Sequence, residues 1–154
     1  FQTKKFSMAH KAIEIAKTFL TLSNPEYGDF LSNLKLQKLL YYAQGLHLAL
    51  YDRPLFEEPI LSWQYGPVVK DVYHEYKDFE GAIPVPKELN YNYLTSEELD
   101  LINDVYNVFG QFSAFKLVEM THNEPPWKNT PINTEIRHHK LKQYFSTLVN
   151  EPNK

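Results

Sequence analysis

The run from Leu34 to Tyr51, LKLQKLLYYAQGLHLALY, constrains this chain more than any other stretch. Leu36, Leu39, Leu40, Ala43, Leu46 and Leu50 recur at the i, i+3, i+4, i+7 spacing that puts them on one face of a helix. Tyr41, Tyr42, Leu48 and Ala49 coat the other sides, so that from Leu39 onward almost no face is polar. A helix that is apolar all round has to be enclosed by others. The run is therefore expected to be a buried post, with Leu36, Leu39, Leu40 and Ala43 in the core.

The flanking sequence supplies elements to enclose it. A helix is expected from Met8 to Leu22, with Ala9, Ala12, Ile13, Ala16, Phe19 and Leu20 as its stripe and Asn24-Pro25 as its stop. Asn33 is a reasonable cap for the post, and Arg53-Pro54 ends it. Residues 60–65 read as extended, with Trp63 in the core. Gly66-Pro67 then punctuates the chain, with Pro67 suited to the first position of a helix carrying Val68, Val69, Val72, Tyr73 and Tyr76. Residues 80–93 read as a loop with a short strand near 83–85. Thr95-Ser96-Glu97-Glu98 is a capping box, with Leu94 and Leu99 as a staple, for a helix closed by Gly110. Ser113 caps a helix to His122, Pro125-Pro126-Trp127 reads as a rigid aromatic loop, and a last helix begins near Thr134 and carries Ile136, Leu141, Tyr144, Phe145 and Leu148. The fold class expected is mainly α: one compact domain of about six helices around the post. The domain is assigned to residues 8–149. Residues 1–7 read as the remnant of a cleavable tag and 150–154 as a tail.

Composition narrows the function. A length of 154 residues suits one domain with a real core. Eleven Tyr, ten Phe and two Trp make the chain 15% aromatic, and such side chains serve recognition surfaces as well as cores. A net charge of −3 argues against a nucleic-acid surface, which needs a basic stripe. The chain has no cysteine, so disulfides, thiolate metal sites and Cys nucleophiles are excluded, and a reducing cytoplasm is the expected setting. No apolar stretch reaches membrane-spanning length, so no membrane partner is expected.

Motifs for chemistry are weak. His138 and His139 are adjacent and diverge on a helix, while His10/Glu14 and His74/Asp78 are i, i+4 pairs of a kind common on surface helices; no metal site and no cofactor are assigned. Glu57-Glu58 and Glu97-Glu98 read as solvated or capping carboxylates rather than an acid–base pair. No Gly-rich phosphate loop or nucleophile elbow occurs, so no catalytic residue is assigned and the protein is expected not to be an enzyme. Gly45 inside the post costs about 1 kcal/mol against Ala. Close approach of a neighbouring helix, or of the Trp63–Tyr65 segment, is preferred to a ligand contact as its reason. Lys35, Gln37 and Lys38 fall on the polar rim near the start of the post, either as ordinary surface residues or as the flank of a docking site beside Tyr41 or Tyr42.

The blocks Leu36–Gly45 (LQKLLYYAQG), Pro54-Leu55-Phe56, Trp63–Val69 (WQYGPVV) and Val72-Tyr73 resemble the Panacea antitoxin domain, a family once catalogued as a domain of unknown function that includes phage-associated Gep proteins and SocA-type antitoxins. Leu94–Glu98, Ser113–Leu117, Thr121-His122 and Pro126-Trp127 agree as well. The resemblance implies a cytoplasmic bacterial or prophage protein that neutralises a toxin encoded beside it. It does so by direct protein–protein binding or, for some members, by delivering the toxin to a protease. An adaptor or phage factor acting on a host protein is the alternative. Fold determinants would be Leu36, Leu39, Leu40, Ala43, Gly45 and Trp63. The candidate recognition residues are Lys35, Lys38, Tyr41, Tyr42, Tyr65, Gly66, Pro67, Tyr73, His122 and Trp127, around a pocket bounded by Tyr65-Gly66-Pro67 and Trp127.

Overall fold

The computed structural model describes residues 9–89 and 93–149. The segments read as a tag remnant and a tail, and Met8 at the expected helix start, lie outside the described residues. The chain runs α1 (Ala12–Leu22), a 3-10 turn (Pro25–Tyr27), α2 (Asn33–Tyr51), β1 (Ile60–Trp63), β2 (Gly66–Val68), α3 (Lys70–Tyr76), α4 (Ser96–Phe109), α5 (Ala114–His122), α6 (Pro125–Lys128), β3 (Glu135–Ile136) and α7 (His138–Val149). Helices α1, α3, α4, α5 and α7 all pack on α2, and α7 does so most extensively. The three strands form one antiparallel sheet in the order β2-β1-β3. None of the described helices is long and apolar enough to cross a membrane.

The post is where the periodicity puts it. Leu36, Leu39, Leu40 and Ala43 are fully buried. Enclosure ends before the helix does, since Leu50 and Tyr51 reach solvent. Gly45 is the contact point with α7: a Cβ there would overlap the ring of Phe145. A side chain was excluded so that two helix surfaces could close together, which answers the helix-propensity cost.

Gln37, Gln44 and His47 of α2 are as buried as its core leucines, and they hold backbone. Gln37 accepts the Val69 N–H at 2.8 Å. Gln44 accepts the N–H groups of Leu55 (2.7 Å) and Phe56 (3.3 Å) and donates to the Phe56 carbonyl (2.8 Å). The Nδ1 of His47 bonds the Arg53 carbonyl at 2.7 Å. Irregular backbone can be buried only if its polar groups find partners. The segment from Arg53 to Val69 finds several of its partners on the post.

Several boundaries differ from the sequence expectation. Helix α1 starts at Ala12 because His10 is extended, its N–H and C=O bonded to Leu55 and Glu57. Ser32 rather than Asn33 caps α2, its side chain accepting the Lys35 N–H; the Asn33 amide instead serves the Tyr73 carbonyl and Gln37. Pro67 lies in β2, not at a helix start, on an edge strand where its missing N–H removes no ladder bond. Residues 83–85 form no strand, although Ile83 is buried and donates to Leu31. Pro125 opens a single helical turn, α6, instead of a loop, because Pro is favourable at the first helical position. Ile136, placed in the last helix by its spacing, instead pairs with Ile60 in β3. The described residues thus hold seven α-helices, in keeping with the mainly α bundle of about six that was expected. Thr95 and Glu98 form the expected capping box, and Ser113 caps α5.

Candidate partner-binding site

The site grows from the β1–β2 hairpin. Trp63 pairs with Gly66, leaving Gln64 and Tyr65 as the turn. Gly66 has φ +113°, which side chains avoid, and a Cβ there would lie 2.6 Å from Lys38 Cε and 3.0 Å from Thr121 Oγ1. Glycine is required twice over, by conformation and by space. It lets the tip lie flat on α2 and α5.

Two bonds fix the tip from the other side. The indole N–H of Trp127 donates to the Trp63 carbonyl at 2.8 Å. His122 Nε2 lies 3.1 Å from the Gln64 carbonyl, an acceptor, so this nitrogen carries the hydrogen. The imidazole stacks on the Trp127 ring with centroids 4.0 Å apart, and Trp63 meets Tyr73 edge-on at 5.1 Å. Tyr65 projects into solvent, 56% exposed. Beside the tip lies a groove of about 430 Å³ with Trp63, Tyr73, Leu34, Val68 and Ile132 as apolar lining and Gln64 and Asn133 as amides. Among the described residues, none that is charged lines it.

Of the residues expected at a recognition face, Tyr65, Gly66, Pro67, Tyr73, His122 and Trp127 come together here, although Gly66 and Pro67 are buried and, like Trp127, do not line the groove they were expected to bound. Four others do not. Lys38 is fully buried beneath the tip, so it and Gln37 form no exposed rim. Its Nζ lies 3.4 Å from the Pro67 carbonyl and 3.5 Å from the Leu34 carbonyl, with no carboxylate partner among the described residues. Burial lowers its pKa to about 7. Lys35 is half-buried and donates to the Gly110 carbonyl at 2.6 Å, closing the C-terminal end of α4; burial lowers its pKa. Tyr41 and Tyr42, both expected among the recognition residues, are both interior. Trp63 is half-buried at the site rather than central to the core.

Both tyrosines point at a residue that the sequence did not single out. Tyr41 donates to Oε1 and Tyr42 to Oε2 of Glu124, each at 2.9 Å. Burial raises the pKa of Glu124 to about 6, and the two hydroxyls partly offset that rise. Burial, then the charge of Glu124, raises the pKa of both tyrosines. Asn133 and Ile132 were missed as well; their only signal is the Pro131–Thr134 turn, in which Asn133 takes a left-handed φ of 70°. His10, Glu98 and Thr95 make a second polar cluster, with His10 Nε2 2.9 Å from the capping carboxylate.

Comparisons with known proteins bear on this geometry. The profile of the family described as "Antitoxin SocA-like, Panacea domain" matches residues 36–128, which takes in α2 from its first turn, the hairpin, α5 and α6. Antitoxin SocA of Caulobacter vibrioides (strain NA1000 / CB15N) is 30% identical over 109 residues, which are 63% of this chain and 58% of that protein. The chain thus spans less than two thirds of the length of this curated relative. No solved structure matches. Since the matched region covers more than half of the sequence, the chain belongs to the Antitoxin SocA-like family, Panacea domain.

Proposed function

We propose that the protein is an antitoxin that neutralises a protein toxin by binding it directly, without catalysis, on the face made by the hairpin tip and the adjoining groove. The observation that carries this reading is that the family match contains both tryptophans of the chain and that both converge on this one tip. Aromatic anchors in a rigid frame supply most of the affinity of many interfaces. A tip already fixed by Trp127 and His122 loses little conformational freedom on binding. An uncharged aromatic groove beside an exposed tyrosine suits an apolar segment of a partner polypeptide. The toxin is expected to be encoded nearby and to be met in the cytoplasm.

Co-expression with the product of the neighbouring gene tests the reading. The neighbour alone arrests growth, this chain restores it, and the two co-purify. A Tyr65→Ala, Tyr73→Ala double variant lowers affinity about tenfold or more, because both rings flank the groove. A neighbour that is harmless on its own defeats the proposal. Toxin half-life separates blocking from delivery to a protease: blocking leaves it unchanged or longer, whereas delivery shortens it in a protease-dependent way.

A further inference from the structure

The carboxylate of Glu124 is held at both oxygens by adjacent residues of one helix. Neither tyrosine has room to turn away. Tyr42 stacks on Phe109 with centroids 3.8 Å apart, and Tyr41 meets Phe145 edge-on at 5.4 Å. Tyr144 of α7 also faces Glu124; among the described residues the nearby cation of α7, Lys140, is bonded to the Asn129 carbonyl at 2.7 Å, and none pairs with Glu124. Glu124 is also the cap residue of α6, where its carbonyl accepts the Lys128 N–H at 3.0 Å. Pro125 and Pro126 follow at once, and their locked φ leaves little backbone freedom between Glu124 and Trp127. His122 stands two residues before it. Both groups that bond the hairpin tip, the Trp127 indole and the His122 imidazole, are thus carried within three positions of the clamped carboxylate.

We propose that Glu124 is a positioning residue: gripped by Tyr41 and Tyr42, it sets where Trp127 and His122 stand and so fixes the hairpin tip in the shape that receives the partner. The last clause rests on the tip being the partner-binding face. A carboxylate suits the task because it offers two acceptors to two hydroxyl donors, whereas an amide of the same shape offers one. Glutamine keeps the shape but can hold the second tyrosine only by donating to its hydroxyl oxygen, a neutral bond weaker than one to a carboxylate.

The test uses the full chain and its two tryptophans, Trp63 and Trp127, both of which report on the tip. Glu124→Gln, and separately Tyr42→Phe as a milder variant, are compared with the wild type by far-UV circular dichroism, tryptophan emission with acrylamide quenching, and partner affinity. The expected result is an unchanged helical signal, more quenchable tryptophans, and affinity weaker by about tenfold. In the wild type the emission also changes with a midpoint near pH 6. His122→Gln keeps that transition and Glu124→Gln loses it. Unchanged quenching and an unchanged pH profile in both Glu124→Gln and Tyr42→Phe overturn the positioning role, whatever happens to affinity. Altered quenching with unaltered affinity leaves that role standing and instead removes the hairpin tip as the partner face.

Discussion

The indole of Trp127 donates to the backbone carbonyl of Trp63 at 2.8 Å, joining the single turn of α6 to the end of β1 across 64 positions of sequence. A side chain bonded to the backbone of a turn fixes the turn without specifying the residues at its tip. Gln64 and Tyr65 are thereby left free to vary while their frame is kept.

Trp127→Phe tests that bond alone. It keeps a ring for His122 to stack on and removes the donor, leaving the Trp63 carbonyl without this partner. The expected loss is about 1 kcal/mol of stability in urea titration. Partner affinity, read in a separate binding titration, falls further than so small a change in stability would explain. Equal losses in both would mean that Trp127 supports the fold and nothing more.

Gly45→Ala is a test of the closest helix contact. Helix propensity alone predicts a gain of about 1 kcal/mol. The new methyl overlaps the Phe145 ring, and overpacking of a closed core costs about 1–3 kcal/mol. The net change is expected to be destabilising. Combining it with Phe145→Leu, which frees space on the opposing helix, should give a loss smaller than the sum of the two single losses, because residues in contact couple. A stabilised single variant would show that α7 moves aside at no cost.

The sequence makes the post legible because leucine spacing repeats across five turns, and the caps at Thr95 and Ser113 because they are local. Gly45 is interpretable for a similar reason: a helical glycine needs a neighbour, even though its spacing does not say which. The reading fails where a residue's role is set by a remote partner. Lys38 and Gln37 look like surface residues on a helical wheel, and only the return of residues 67–69 across the post buries them. Ile136 has the spacing of a helix residue, but its pairing with Ile60 wins because a strand of two residues is too short to show a period. Glu124 carries no motif. Its importance comes from two tyrosines more than 80 positions away, and no periodicity reports such a pairing.

Lys38→Met should stabilise the protein. Burial lowers the folded-state pKa from 10.5 to about 7, so between those values the unfolded chain binds the extra proton. Stability of the wild type therefore rises as pH increases from 7 toward 10.5, with the full cost of the buried ammonium present below 7. Methionine fills the same space without charge. The variant is expected to gain about 1–4 kcal/mol at pH 6 and to lose the upward slope between pH 7 and 9, as measured by urea titration. That window stops short of tyrosine ionisation. An equal slope in both proteins would mean that the amine reaches solvent.

Glu124 imposes the opposite dependence in a lower window. Its folded-state pKa is raised from 4.5 to about 6, so in that interval the folded protein holds the proton that the unfolded chain has released. Wild-type stability accordingly falls as pH rises from 4.5 to 6, by about 1–2 kcal/mol after allowance for solvent access to a half-buried group. His47 acts in an overlapping range with the other sign: burial lowers its pKa, so its share of stability increases as pH climbs toward 6.5. The raw profile is therefore a poor test, and the difference between wild type and Glu124→Gln is a clean one, because His47 is common to both. That difference should favour the variant increasingly from pH 4.5 to 6 and level off above it, offset by a loss for the weaker neutral bonds that the amide makes to the tyrosines. A difference curve flat across the interval would mean that the carboxylate keeps its ordinary pKa, and that Tyr41 and Tyr42 hold a group that water already reaches.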